Sequence, residues 1–185
     1  DIKTLINFAR EHKIPLIPRT AGTSLAGQCV GEGIVVDVSR NFTNIIEINK
    51  TEGWVKVEPG VIRDILNLEL AKHGLYFGPN TSTSNRCMMG GMLGNNSCGS
   101  TSIKYGTTRD HVLEVETILS DGSEAVWQAW DAETTSRVAA ENTLQGTITR
   151  SLMALLAPAH VQDEIRKEYP QASIGRRNTG YAVDV

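Results

Sequence analysis

Acidic side chains are missing from two long windows of this chain. No Asp or Glu occurs between Leu70 and Arg109, and none between His12 and Gly31. With 21 acids in 185 residues, an even spread would put about four or five in the longer window. Bases are not excluded in the same way: Lys72, Arg86, Lys104 and Arg109 stand in one window, Lys13 and Arg19 in the other. Cysteine is also scarce. Cys29, Cys87 and Cys98 are odd in number and have no CxxC spacing, which argues against a disulfide framework, a zinc site or an iron–sulfur cluster within the chain. A reducing cytosol is the expected compartment. No apolar run approaches the length of a membrane span. The net charge is −3 and there is no basic stripe, so a nucleic-acid binder is not expected. The opening DIKTLINFAREH has the pattern of an amphipathic helix, not of a signal peptide. His12, His73, His111 and His160 fall in separate elements, so no metal-ligand set and no catalytic histidine is expected.

Glycine and small neutral donors fill the space that acids leave. The stretch 78–106, GPNTSTSNRCMMGGMLGNNSCGSTSIKYG, draws 18 of its first 25 residues from Gly, Ser, Thr, Asn and Pro. That is too polar for a core strand and too rich in glycine for a stable helix. Met88, Met89, Met92 and Leu93 supply apolar anchors that a flexible linker would lack. Glycines remove β-carbons, while hydroxyls and amides supply neutral donors. Backbone of this kind suits close approach to a bound anion. A second such turn is PRTAGTSLAG, which follows a short strand. Two ordinary surface loops would have the same composition, and the residues alone leave both readings open. The common nucleotide motifs are absent. Gly22 and Gly27 have the GxxxxG spacing, but Gln28-Cys29 stands where a Walker A loop needs Lys-Ser/Thr. Gly31-Glu32-Gly33 precedes a strand instead of opening a helix, which is wrong for a Rossmann turn. A ligand with a diphosphate and a long neutral body would use both loops. A phosphosugar or nucleoside triphosphate is the other class they admit.

The periodicity predicts a helix over 1–12, then strands at 14–18, 34–38, 45–48 and 54–57. Ile34 to Val38 is apolar enough to expect burial on both faces. Val61, Ile65, Leu66, Leu68 and Leu70 mark a helix that stops at His73-Gly74. His111 to Ser120 alternates as a strand, Asp121-Gly122 signals a hairpin, and Ala125 to Trp130 is the returning strand. Residues 131–169 have helical periodicity, and 175–185 are loop-like. The length suits one domain, or one domain plus a fragment of another. The order of elements favours an α+β fold of two subdomains. The chain is expected to be an excised fragment of a longer protein.

Five separated motifs carry a family resemblance: PRTAGTSLAGQ, IVVDVSRNFTNIIEI, WVKVEPGV, STSNRCMMGGMLGNNSCGS and KYGTTRDHVLEVETILSDGS. They occur in the order seen in FAD-binding domains of the vanillyl-alcohol oxidase/p-cresol methylhydroxylase (PCMH) superfamily. Over about residues 1–130 the chain resembles that family. Within it, the chain is most similar to flavin dehydrogenases of D-2-hydroxy acids: D-lactate dehydrogenases, glycolate oxidase flavoprotein subunits and D-2-hydroxyglutarate dehydrogenases. The resemblance implies a PCMH-type FAD-binding domain over 1–130, with its N-terminal strand missing. That domain would hold a small parallel or mixed sheet and then a larger antiparallel sheet, with helices. Residues 131–185 would lead toward an absent substrate domain, and 175–181 resemble the entry to it.

The resemblance also implies a division of labour along the cofactor. Arg19, Thr20, Ala21, Gly22, Thr23, Ser24 and Leu25 would wrap the pyrophosphate. Pro59 and Gly60 would lie near the adenine end. Pro79, Asn80, Thr81, Ser82, Thr83 and Ser84 would run beside the isoalloxazine ring. Gly90, Gly91, Asn95, Asn96, Cys98, Gly99 and Ser100 would line the ribityl and phosphate path. Tyr105, Gly106, Val112 and Val115 would close the adenosine side, with simple packing as the competing role for Tyr105 and the two valines. Some relatives attach FAD through a histidine in the first loop; Thr23 stands at the matching place, so non-covalent FAD is expected. No catalytic residue and no metal ligand is expected here, because the substrate-side residues of the family lie elsewhere. The whole enzyme would oxidise a D-2-hydroxy acid by hydride transfer to flavin N5. Its electrons would pass to a quinone, a cytochrome, an electron-transfer flavoprotein or a fused iron–sulfur domain. The alternative is a module that holds FAD for electron transfer and meets no organic substrate. The expected location is cytoplasmic, with peripheral attachment at the inner face of the membrane open to the full-length protein.

Overall fold

The computed structural model describes residues 1–171, 173, 174, 181 and 183. The 175–181 segment therefore lies outside the described residues, apart from Tyr181. The chain divides into two compact units, one formed by residues 12–112 and the other by 1–11 with 113–185.

In the 12–112 unit, β1 (Leu16–Arg19) and β2 (Ile34–Asp37) pair in parallel, with Leu16 opposite Ile34 and Arg19 opposite Asp37. The glycine-rich turn 20–31 connects them. β2 alternates between half-buried and exposed residues, and Val35 is exposed. The expectation of burial on both faces is thus corrected: within this chain only one face of β2 is covered. β3 (Ile45–Asn49) and β4 (Trp54–Val57) form an antiparallel hairpin, with a register shift between Ile45 and Glu47. Gly53 in its turn has φ +74°, a conformation that favours glycine. The helix α2 (Arg63–Ala71) sets Leu66 and Leu70, with Val61, against Ile45, Ile48, Val55, Val57, Leu75, Phe77 and Met89. This is the core of the unit.

The central polar stretch is more ordered than its composition suggests. It contains two short helices, α3 (Met89–Gly94) and α4 (Ser102–Tyr105), followed by a 3-10 turn at Thr108–His111. The expectation that glycine would exclude helix there fails for a tertiary reason. Met92 is 1% exposed and anchors α3. The first backbone donors of α3 are taken up from outside the helix: Met89 N–H by the Val61 carbonyl (2.9 Å) and Gly90 N–H by the Pro59 carbonyl (2.8 Å). Both are among the N–H groups a helix start leaves open.

In the other unit, α1 (Ile2–His12) buries Ile6 and Ala9. β5 (Glu114–Ile118) and β6 (Glu124–Gln128) pair antiparallel in unbroken register. Gly122 in their turn has φ +85°. α1 is tied to this hairpin through Lys3 Nζ to Glu124 Oε1 (2.7 Å) and Arg10 to the Asp121 carbonyl (3.0 Å). Three helices follow: α5 (Ala132–Ala140), α6 (Leu144–Leu156) and α7 (Ala159–Glu168). Asp131 caps α5 by accepting from Thr134 N–H, and Thr143 caps α6 by accepting from Gly146 N–H. The fold class is α+β. Among the described residues each of the three sheets has two strands, so the antiparallel parts are two separate hairpins, β3–β4 and β5–β6, and not one larger sheet. No helix among them is long and apolar enough to cross a membrane.

Candidate cofactor-binding site

Glycines join four segments of the 12–112 unit. A β-carbon placed on Gly91 of α3 would stand 2.8 Å from Thr20 Oγ1, so the first loop touches the central stretch. At Gly90 it would stand 2.6 Å from Pro59 Cβ. At Gly99 it would stand 1.5 Å from the Asn80 carbonyl oxygen, well inside any contact distance. At Gly78 it would strike the Tyr105 ring, 2.5 Å from Cγ. The segments 20–24, 59–60, 78–84 and 90–106 therefore meet at glycines, backbone to backbone at Gly99–Asn80 and Gly90–Pro59 and against side chains at Thr20 and Tyr105. Side chains at these positions would force them apart.

Each expected residue has a definite place. Arg19 turns its guanidinium onto its own loop, donating to the Thr20 (3.1 Å) and Ala21 (3.2 Å) carbonyls and lying 3.8 Å from Asp37. Its charge is spent holding the turn in shape. Gly22, at φ +65°, lies against that guanidinium. Ser24 donates to Gln28, and Leu25 is fully exposed. Thr23 is half-buried in the same turn. Gly60 is buried, with its N–H on the Phe42 carbonyl at 2.7 Å, so its missing side chain serves packing within the chain. Pro59 is exposed.

Pro79 is fully buried. Thr81 and Thr83 share a hydrogen bond (3.2 Å), Thr81 also reaches Cys87 Sγ, and Ser84 donates to Asp64 (3.0 Å). Ser82 and Ser100 are exposed, and Cys98 is half-buried. Asn95 donates to Ser97 (3.2 Å). Asn96, at φ +45°, accepts from Arg109 N–H (3.0 Å), a conformation asparagine tolerates better than most residues. Tyr105 lies over Gly78 and 5.9 Å from the Tyr76 ring, a packing role inside the chain. Gly106, at φ +70°, leaves room for Asp110, whose carboxylate accepts from Thr107 N–H (2.7 Å). Val112 is half-buried at the end of the 3-10 turn. Val115 lies on β5, in the other unit.

The acids nearest the cluster are committed. Asp110 is held by Thr107 in a capping box. Asp64 pairs with Arg63 Nη1 (2.9 Å) and accepts from Ser84. Ser39 hydrogen bonds, aided by Arg19 and Arg40, hold the Asp37 carboxyl below its ordinary range. Two residues at the start of α2 that sequence reasoning passed over now matter. Arg63 is buried, and its guanidinium donates to the carbonyls of Pro79 (3.0 Å) and Phe77 (3.2 Å) and to the Tyr76 hydroxyl (2.9 Å). Burial alone would lower its pKa, but the bonds to Asp64 and Tyr76 outweigh that and raise it. Nothing local in the sequence marks this arginine as buried. The Thr107-x-x-Asp110 box, by contrast, has a local sequence spacing that could have pointed to it.

The residues fit a dinucleotide. Asn80 Oδ1 is buried and accepts no hydrogen bond from the chain. A buried acceptor of this kind calls for an N–H donor from outside, which flavin and adenine rings both carry. The adjoining loops offer glycine backbone and neutral hydroxyls without carboxylates to repel a diphosphate.

Comparison with known proteins shows the family. The FAD binding domain family matches residues 1–126. The chain belongs to that family, and FAD is its cofactor. It is 47% identical over 121 residues to D-2-hydroxyglutarate dehydrogenase of Pseudomonas putida, an alignment covering 65% of this chain and 12% of that protein. It is 33% identical over 123 residues to glycolate oxidase subunit GlcD of Bacillus subtilis, covering 66% of this chain and 26% of that one. Among solved structures, the carbohydrate oxidase from Microdochium nivale superposes with a TM-score of 0.63 at 22% identity. It covers 72% of this chain and 28% of its own, and shows the fold. The chain thus spans a small part of the relatives it matches.

Proposed function

We propose that this chain is the FAD-binding part of a flavoprotein that oxidises a D-2-hydroxy acid to the 2-oxo acid. D-2-hydroxyglutarate, D-lactate and glycolate are the candidate substrates. The observation that carries the reading is the meeting of the two acid-free segments at Gly91 and Thr20, in a chain whose relatives are dehydrogenases and oxidases of such acids. Residues 1–130 form the cofactor-binding part, and 131–185 lead toward a substrate domain that supplies the catalytic groups. When bound, FAD supplies the redox chemistry, accepting a hydride at N5 from the hydroxyl-bearing carbon.

The chain's own residues bind and orient. The turn Thr20 to Ser24 presents backbone N–H groups to the diphosphate. Gly90, Gly91 and Gly99 let backbone approach the ribityl path. The loop Pro79 to Ser84 lies beside the ring system, with Asn80 Oδ1 as an acceptor for a ring N–H. Thr23 offers no nucleophile comparable to histidine, so the cofactor is held without a covalent bond. The electron acceptor is a quinone, a cytochrome, an electron-transfer flavoprotein or a fused iron–sulfur domain, reached in the cytoplasm or at the inner membrane face.

The test uses full-length protein, purified and made anaerobic. Yellow protein that is bleached by one of these acids supports the reading. Colourless protein that cannot be reconstituted with FAD ends it. Yellow protein that no hydroxy acid bleaches points to an electron-transfer module instead.

A further inference from the structure

The loop 79–84 is gripped at both ends by two consecutive residues of α2. Arg63 holds the first end: its Nε donates to the Pro79 carbonyl at 3.0 Å, and its Nη2 to the Phe77 carbonyl and the Tyr76 hydroxyl. Asp64 holds the second end: its Oδ2 accepts from Ser84 Oγ at 3.0 Å, and its N–H donates to the Ser84 carbonyl at 3.2 Å. The two side chains are joined to each other, Arg63 Nη1 to Asp64 Oδ1, at 2.9 Å. Arg63 N–H also donates to the Cys87 carbonyl at 3.1 Å, just beyond the loop. Arg63 is 6% exposed. A buried guanidinium is costly unless its donors are satisfied. Here three of its nitrogens reach four acceptors, all on or beside one loop except Asp64.

A role in general stability does not require this arrangement. The core beneath α2 is apolar, built on Leu66, Leu70 and Val61. The pair instead fixes the distance between Pro79 and Ser84 and hence the course of Asn80 to Thr83 between them. We propose that Arg63 and Asp64 are a positioning pair that sets the shape of this loop against bound FAD, and so governs both affinity and the electronic environment of the ring. The inference rests on the reading of 79–84 as the loop beside the ring. Neither residue touches the cofactor; both act through the loop's carbonyls and Ser84.

Full-length holoprotein is the material for the test, with Arg63→Met, Arg63→Lys, Tyr76→Phe and Ser84→Ala. Lys72→Met, which removes a pair between the C-cap of α2 and Glu69 on that helix, away from the loop, is the control. FAD dissociation constants, the visible absorption band of the bound flavin and its midpoint potential are measured for each. Arg63→Met is expected to weaken FAD at least roughly tenfold and to displace the band and the potential at saturating FAD. Tyr76→Phe and Ser84→Ala, each losing one bond, weaken it by roughly threefold to tenfold. Arg63→Lys recovers part of the Arg63→Met loss, and Lys72→Met changes nothing. Variants that melt earlier but keep the wild-type dissociation constant, band and potential overturn the proposal. Should Arg63→Met fail to fold, Tyr76→Phe and Ser84→Ala decide by the same criterion. Wild-type protein that binds no FAD removes the cofactor reading and this proposal together; wild-type binding with unaltered variants removes this proposal alone.

Discussion

Gly91 and Thr20 lie so close that a β-carbon on the glycine would stand 2.8 Å from the threonine hydroxyl. They belong to the two segments from which acids are absent, far apart in sequence and adjacent in space. Gly99 and Asn80 stand in the same relation, with a backbone carbonyl as the obstacle.

That second contact makes Gly99→Ala a sharp test. Any side chain there must push the Asn80–Thr81 backbone aside, since a carbonyl cannot rotate away. Full-length Gly99→Ala is expected to lose FAD and about 1–3 kcal/mol of stability. At Gly94, nothing lies within 4 Å of an added β-carbon. Gly94→Ala should keep FAD and stay within about 0.5 kcal/mol of wild type. Urea unfolding and FAD titration read both; equal effects from the two substitutions would show the close packing to be unimportant.

Non-covalent attachment has its own measurement. Full-length protein denatured in acid should release its flavin to the supernatant. Mass spectrometry of the remaining polypeptide should give the apoprotein mass. A polypeptide heavier by one flavin contradicts the role given to Thr23.

The first turn of α5 is expected to respond to pH. The Thr134 backbone N–H holds the Asp131 carboxyl below its ordinary range, which is about 3.9 for aspartate. A depressed folded-state pKa means that this stabilisation is complete above the unfolded value. It is lost as pH falls below that value and through the lowered folded-state one. Amide exchange at Thr134 and Thr135 should therefore rise in acid relative to Asp131→Asn, which keeps a cap but does not titrate. The two proteins should differ near neutrality, where the ionised Asp131 protects the turn better, and converge at low pH; parallel curves throughout would refute the linkage.

Leu66 is 0% exposed at the centre of the α2 core. Leu66→Ala should cost about 2–5 kcal/mol in denaturant unfolding. A loss no larger than that of an exposed leucine such as Leu68 would show that this cluster does not carry the unit.

Much of the fold was legible because its causes are local. α1, β3, β4 and α2 follow from apolar spacing, and Gly74 ends its helix at φ +73° as its place after a helical run implied. The turn at Asp121-Gly122 was equally plain, although the strands it joins are shorter than their alternation suggested. α3 was not legible, since its backbone donors are satisfied by Pro59 and Val61, which only the folded chain brings near. Gly60, Gly78 and Gly106 each have a neighbour inside the chain that forbids a side chain, a packing role that their local sequence does not show. The same blindness hid Arg63, whose acceptors lie well beyond it in sequence.

By itself the sequence determined where carboxylates are absent, where glycine removes bulk, and which short stretches are strand or helix. Those are properties of residues and their near neighbours. Tertiary structure alone decided that the two acid-free segments share one place, that Asn80 keeps a buried acceptor open there, and that Arg63 and Asp64 hold the loop between Pro79 and Ser84. Those depend on distances between residues far apart in the chain, set only when the apolar core beneath α2 closes.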